Sequence, residues 1–532
     1  MTTRFDPFRA QAGTAAPKSA KARRMLAAGA FALALPLAAP LAAQAETIAI
    51  AALVEPPSLD VANAYNANSR TVLGNVFEGL VGRDGATNEF VPELATAWEQ
   101  IDDSTWQFTL RDGVTFHDGS PLTAAGVAEA LAYVWSKDNG FQIRALGGPE
   151  MSFEAVSDMV VQVQTETPDP LLLTRVWQTY VPSAEHIRSH PEEWGQVAVG
   201  TGPYKVKDWT RGTSITLEDN ESWWGSSAAD AYGAIDFTEA TFLFRPEPAS
   251  RIAALQAGEV DFSERLPGEL CKAALAENCI ESPDTTSTYF RLDSTNPVLA
   301  DHRIREAMSL AVDRETIGEL LLGGAAPATM IVGPASTGYN RDLAPLPYDM
   351  EKARALVEAA KADGVPVEAT PLKLATMSGG FIGNDQVMEV MLEQLKQIGI
   401  TNVSAEVMER GPAWQDVFIH APKPTDPTRG LIALHKHTND PYDFASTVMA
   451  FYTCEGRLSV ACNPEIDAKI AAAVSLVGAE RQAALAEIAA LTYQDLWYIP
   501  LHHEVRFHGI SDRVSFEPPL HAGVRLTDIK LR

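Results

Sequence analysis

Phe108-Thr109-Leu110-Arg111-Asp112-Gly113-Val114-Thr115-Phe116-His117-Asp118-Gly119-Ser120-Pro121-Leu122-Thr123 packs three local signals into one short stretch. Trp106, Phe108 and Leu110 alternate with polar residues, the period of a strand with one buried face. Arg111-Asp112-Gly113 and His117-Asp118-Gly119 read as turns around a short strand over 114–116. Thr123 is placed to cap a helix through Val127 and Leu131, its hydroxyl accepting from a free amide of the first turn. Strand, turn and helix signals this close together predict a mixed α/β fold.

The same mixture runs outward in both directions. Residues 47–51 read as a strand leading into Pro56-Pro57-Ser58-Leu59-Asp60. Beyond residue 340, helical stripes dominate. Asp349 caps a helix carrying Ala353, Leu356, Val357 and Ala360, with Gly364 past its end. Asn384 precedes Val387, Val390, Met391, Leu395 and Ile398, stopped by Gly399. Asn463-Pro464 supplies a cap and a first-turn proline before Ile466, Ile470, Val474 and Val477. These apolar stripes belong to a core. Tyr498-Ile499-Pro500-Leu501 is a strand signal after the last helices.

The chain has 532 residues, of which 46% are hydrophobic and 21% charged, values of a globular protein. At about 100–200 residues per domain this length predicts several folding units. The formal net charge is −27, which argues against nucleic acid as a partner, because phosphate binding needs a basic surface. Residues 1–45 read as a secretory signal peptide. Lys18, Lys21, Arg23 and Arg24 precede an apolar run over 25–43, which ends in Ala43-Gln44-Ala45. Arg23-Arg24 leaves both the general and the twin-arginine export route open. Without this leader the net charge is −32, and the expected product is exported and periplasmic.

Cys271, Cys279, Cys454 and Cys462 are the only cysteines. An even count in an exported chain favours disulfides. Three connectivities are possible, and two local pairs are the simplest. If Cys271 pairs with Cys279, a helix over 270–276 must end before Cys279, since eight helical residues would separate the Cα atoms by ~12 Å. Zinc is the rival use, but C-x7-C is not zinc spacing.

Six ordered motifs carry a family resemblance. They are Pro92-Glu93-Leu94-Ala95-Thr96-Ala97-Trp98-Glu99, the stretch quoted above, Gly200-Thr201-Gly202-Pro203-Tyr204-Lys205, Asn220 through Trp224-Gly225, Leu255-Gln256-Ala257-Gly258-Glu259-Val260-Asp261, and Arg303-Ile304-Arg305-Glu306-Ala307-Met308-Ser309-Leu310-Ala311-Val312-Asp313-Arg314. Together they resemble the extracytoplasmic solute-binding proteins of ABC importers, family 5, the peptide/nickel-binding group, over nearly the whole mature chain. The resemblance implies a two-lobed α/β Venus-flytrap fold of the large three-subdomain type, with two crossovers near 287–290 and 501–507. Lobe I then comprises 46–288 plus 505–532, with an extra subdomain at about 83–200, and lobe II comprises 289–504. It further implies a monomer without catalysis or cofactor, which closes on a small solute and docks on a membrane permease.

The resemblance also implies site residues. In peptide-binding relatives the aspartate before a proline anchors the α-ammonium group, and Asp440 stands in that place in Asn439-Asp440-Pro441-Tyr442. A turn-capping role for Asp440 is the competing reading. Tyr442, His437, Phe381, Tyr65 and Asn66 are expected cleft contacts. Cys454 follows at the spacing of relatives with a local disulfide. Dipeptide-binding relatives clamp the carboxylate with an arginine where this chain has Met377-Ser378-Gly379-Gly380-Phe381; the missing arginine argues against a short peptide gripped at both ends and leaves open a longer peptide with a free C-terminal end or another amine-bearing solute. Arg175 and Trp177 lie in the segment that gives nickel-binding relatives a cleft arginine, but the matching position is Gln178, and the other family arginine falls on Ala132. A nickel or metal-chelate, opine or sugar ligand is the alternative; imidazoles bind nickel well, and His435, His437, His502, His503 and His508 are the candidate donors.

An exported enzyme is the remote alternative. His503-Glu504-Val505-Arg506-Phe507-His508 spaces its histidines one residue too far for H-E-x-x-H. Gly333-Pro334-Ala335-Ser336-Thr337-Gly338 is not a nucleophile elbow. Gly323-Gly324 lacks a phosphate-cradling pattern. A free adaptor or chaperone would need an open groove instead of a closing cleft.

Overall fold

The alternating run Trp106, Phe108 and Leu110 is buried as its period predicts, in the strand Thr105–Leu110 of a four-stranded antiparallel sheet. Its neighbours are Ala95–Asp102 and Val160–Thr165, and Met151–Ser157 lies beyond the latter. The helix Ala124–Val134 buries Val127 and Leu131, and the Thr123 hydroxyl accepts from the Gly126 amide at 3.2 Å. The expected strand over 114–116 is corrected to a single bridge, Thr115 to Pro121. Gly113 and Gly119 turn the chain at φ 74° and 84°, leaving too few residues between them for a ladder. This computed structural model describes residues 46–532 apart from 65–66, 139–140, 228–233, 382, 410, 416–426, 475, 477 and 522. The segment 1–45, expected to be a signal peptide, lies outside the described residues.

A second sheet organises the molecule. Its strand order is Val403–Met408, Leu372–Met377, Leu431–Thr438, Cys279–Leu292, Tyr498–Ile510, Phe262–Leu266, Thr47–Ala52, Glu239–Phe244, Ser214–Asp219 and Tyr204–Thr210, with Ala326–Pro327 added on Tyr498–Ile510. The two central strands are long and antiparallel, and they serve both halves. Cys279 to Pro283 pair with Gly509 to Val505, while Ser287 to Arg291 pair with His503 to Tyr498. Between these stretches the register shifts, first between Pro283 and Ser287 and again between Thr288 and Tyr289. Pro283 and Pro500 have no amide hydrogen for a ladder, which is where a continuous pairing is expected to loosen.

Each side of this break has its own core. Ile50, Phe77, Tyr204, Phe242 and Phe262 belong to one cluster, and Phe290, Leu374, Met391, Ile432 and Ile499 to the other. Burying such side chains contributes about 1.5–3 kcal/mol each, so each half carries a substantial core of its own. This is the expected two-lobed α/β fold, with the four-stranded sheet as an extra layer on the first half.

Two helices of the second half start where their caps predict, while the one expected after Asn384 takes Asn384 as its first residue, behind Gly383. Asp349 accepts from the Lys352 amide and Asn463 from the Glu465 amide. The cysteines form two local pairs, Cys271–Cys279 and Cys454–Cys462, with Cα separations of 5.5 and 4.2 Å. For the first, the helix Gly268–Leu275 ends before Cys279, and Ala276 reverses the chain at φ 48°.

Candidate functional site

Charged residues gather where the two long strands pass between the halves. Arg506 donates to Asp284 at 2.6 Å from Nε and 2.9 Å from Nη2. Burial alone would raise the Asp284 carboxyl; the Arg506 guanidinium outweighs it and holds it below the usual carboxylate range. The next residue along, Thr285, accepts from the Asn439 amide at 3.2 Å, which brings the 439–443 loop against the crossover. Asp440 therefore sits beside Asp284. Gln178 Nε2 donates to the Asp440 carbonyl at 2.6 Å, and Arg70 Nη1 donates to the Gln178 carbonyl at 3.0 Å.

The Asp440 carboxylate has no hydrogen bond or ion pair among the described residues. Its surface is open to solvent, yet the protein standing around it and the Asp284 charge raise its pKa, against Arg506, Arg70 and Arg265. A carboxylate held there is a partner for a cation, because an ammonium leaving water needs a counter-charge.

Tyr442 closes one side of this cluster. It is 3% exposed, stands edge-on to Trp177 with ring centroids 5.5 Å apart, and lies under the Arg83 guanidinium. Asn88, in the turn between the paired strands Val81–Arg83 and Phe90–Pro92, donates to the Ala335 carbonyl at 2.7 Å, a second contact with the second half. Tyr442 takes φ 56°, a conformation that costs a non-glycine residue energy and is common at binding sites. On the far side of this contact lies a cavity of about 820 Å³, within the range of small-molecule sites. Arg83, Phe90, Leu173, Tyr339 and Arg481 are among its lining residues. Arg481 is committed there to the buried Asp443 at 3.0 Å.

Of the expected contacts, Asp440 and Tyr442 meet at the crossover. Tyr65 and Asn66 lie outside the described residues. His437 shares a 2.8 Å hydrogen bond with Thr447 and packs on Phe451, and burial pushes its pKa down to about 4. Phe381 is buried in the core of the second half. Arg175 is paired with Asp169. His502 meets the Arg314 carbonyl at 2.6 Å, His503 meets Ser287 at 2.8 Å, and His508 stacks with Phe262. Among the described residues no group of three or more His, Cys, Asp or Glu is placed to hold a metal. Sequence reasoning passed over Arg70, Arg265, Asp284 and Arg506; Asp284 and Arg506 lie at or beside the expected crossovers, and that was the available signal.

Residues 89–444, more than half of the chain, match the family model for bacterial extracellular solute-binding proteins, family 5. The glutathione-binding protein GsiB of Salmonella paratyphi A is 28% identical over 380 residues, 70% of this chain and 71% of its own length. The nickel-binding periplasmic protein of Escherichia coli is 25% identical over 466 residues, covering 82% of this chain and 86% of its own. The unliganded open form of the periplasmic murein tripeptide binding protein MppA superposes with a TM-score of 0.79 at 20% identity, over 92% of this chain and 98% of that one. The relatives named here are binding proteins.

Proposed function

This chain belongs to the bacterial extracellular solute-binding proteins, family 5, and from that premise we propose that it captures a peptide or related amine-bearing solute and hands it to an ABC transporter permease. The lobes are 46–288 plus 505–532 and 289–504, hinged where the long strands change register. A solute that touches both lobes binds the closed state better and shifts the equilibrium by that difference. The protein acts in the periplasm after losing residues 1–45, as a monomer, and leaves its solute chemically unchanged.

The observation that carries this reading is the uncommitted Asp440 carboxylate beside the crossover, on a loop held to the other half by the Gln178 hydrogen bond to the Asp440 carbonyl and by the Tyr442–Trp177 ring contact. The ammonium of the solute is its partner. Three of the five candidate histidines, His437, His502 and His503, are hydrogen-bonded to Thr447, the Arg314 carbonyl and Ser287, and among the described residues no three possible ligands converge, which disfavours the nickel alternative. The test is a thermal-shift screen of the mature protein with peptides, opines, metal chelates and sugars, followed by mass spectrometry of the solute. Stabilisation by amine-bearing solutes recovered intact is expected. Stabilisation by metal chelates or sugars alone, or conversion of the solute, would sink the reading.

A further inference from the structure

We infer that the cavity beyond Tyr442 is a second ligand site, separate from the one proposed at Asp440, and that it takes an organic anion with an apolar body, its acid group on Arg83.

The cavity has a volume of about 820 Å³, within the range that encloses small organic ligands. Asp440, Tyr442, Trp177 and Gln178 are not among its lining residues, which sets it apart from the cluster at the crossover. One wall comes mainly from within residues 83–174 of the first half, the other from within residues 334–341 and 474–482 of the second. The Asn88 hydrogen bond to the Ala335 carbonyl joins the two walls. Phe90, Leu173, Val474 and Leu476 line the cavity and are only half-buried. An apolar body placed against them takes out of water surface that is still open to it.

The charges around the cavity do not all cancel in place. Arg481 is paired with Asp443, and Asp169 with Arg175. Arg83 and Arg341 meet only neutral acceptors among the described residues. Arg83 donates to the Asn88 carbonyl at 2.8 Å and to the Thr174 hydroxyl at 3.3 Å, and Arg341 donates to the Pro334 carbonyl at 3.0 Å. The remaining carboxylate of the lining, Glu89, is exposed and forms no ion pair among the described residues.

Arg83 is the buried cation. It is 8% exposed, and its guanidinium lies 4.1 Å from the centre of the Phe90 ring and 4.7 Å from that of Trp177. Rings attract a cation without neutralising it. Burial pushes its pKa down to about 10, with Tyr442 and Asp443 opposing. Of the five donors of a guanidinium, two are used here. The Arg83 Nε is buried without a hydrogen-bond partner among the described residues, and so is the neighbouring Asn88 Oδ1. Protein interiors leave few such atoms unsatisfied. A carboxylate or phosphate matches the guanidinium fork with paired oxygens and supplies the missing counter-charge. Arg341, exposed at the same cavity, adds a second positive charge. An occupant touches both walls and so favours the arrangement in which they meet.

The experiment is calorimetric titration of the mature protein with octanoate, octyl phosphate, octanamide and acetate. Saturable binding of octanoate or octyl phosphate is expected, and the tighter of the two identifies the acid group. Octanamide lacks the charge and acetate the apolar body, and each is expected to bind roughly tenfold to hundredfold more weakly. Arg83→Gln is expected to lose the same factor. Arg83→Lys keeps the charge without the fork and is expected to recover part of it, while Arg341→Gln costs a few-fold. Ala335→Trp, which fills the cavity from the opposite wall, is expected to abolish octanoate binding and decides the matter if Arg83→Gln does not fold. Octanamide bound as tightly as octanoate, octanoate binding unchanged in Arg83→Gln or Ala335→Trp, or no binding of either anion at millimolar concentration overturns the proposal. These outcomes leave the Asp440 reading standing, because no probe carries an ammonium group.

Discussion

Arg506 and Asp284 meet in a two-pronged ion pair, 2.6 and 2.9 Å, that ties one long central strand to the other at the point where both change halves. Each side chain is 11% exposed. Removing one partner strands the other as a buried charge, a loss of about 3–5 kcal/mol. Arg506→Met is therefore expected to lower the denaturation midpoint strongly, and adding Asp284→Asn to recover part of the loss. Urea titrations of the single and double variants read both effects.

Asp440 gives the opposite sign. Burial and the Asp284 charge raise its pKa, so its ionised form works against folding at neutral pH, the pattern of a group kept for function. Asp440→Asn is expected to leave the unliganded protein at least as stable while weakening amine-bearing solutes by ~2–5 kcal/mol. The raised carboxyl also titrates at a higher pH than an ordinary one, so solute affinity falls as pH drops through that range. Calorimetry across pH, on both proteins, checks all three statements.

Buried histidines set the acid limit. Burial pushes His437, His502 and His503 from 6.5 down to about 4. Between these values the unfolded chain binds protons that the folded protein refuses, so stability rises with pH across that window and is lost as pH falls through it. Below pH of about 4 these three groups add no further slope. Thermal unfolding from pH 7 to pH 3.5 is expected to show this loss, and His502→Gln to flatten it.

Tyr442 is the aromatic face of the closure contact. Its edge-on pairing with Trp177 at 5.5 Å is worth about 0.5–1.5 kcal/mol. Tyr442→Gly relieves the left-handed backbone but removes the ring, and a few-fold loss of affinity carried by faster dissociation is expected. Tyr442→Phe keeps the ring and is expected to keep the affinity. Stopped-flow dissociation separates the two.

Local chemistry was legible in the residues where one segment determined the outcome. Thr123, Asp349 and Asn463 each cap the expected helix, because a cap depends on residues three or fewer positions away. The strand around Phe108 followed from its period for the same reason. The short strand over 114–116 did not form, since a ladder needs a partner of matching length and two glycine turns removed it. The site was legible only in part. The motif pointed to Asp440, but Arg265, Asp284 and Arg506 stand between about 65 and 175 residues from it in the sequence and are brought near through sheet register. Phe381 and His437 lie in apt segments, yet one packs into a core and the other onto Thr447 and Phe451, orientations that only tertiary packing fixes.

Closure around an unaltered solute is the central claim, and small-angle scattering of the mature protein during titration with its stabilising solute tests it most directly. A radius of gyration that falls to a plateau at saturation, with the solute recovered intact, is the predicted result. A radius that stays constant through saturation, or a solute consumed during the titration, contradicts it.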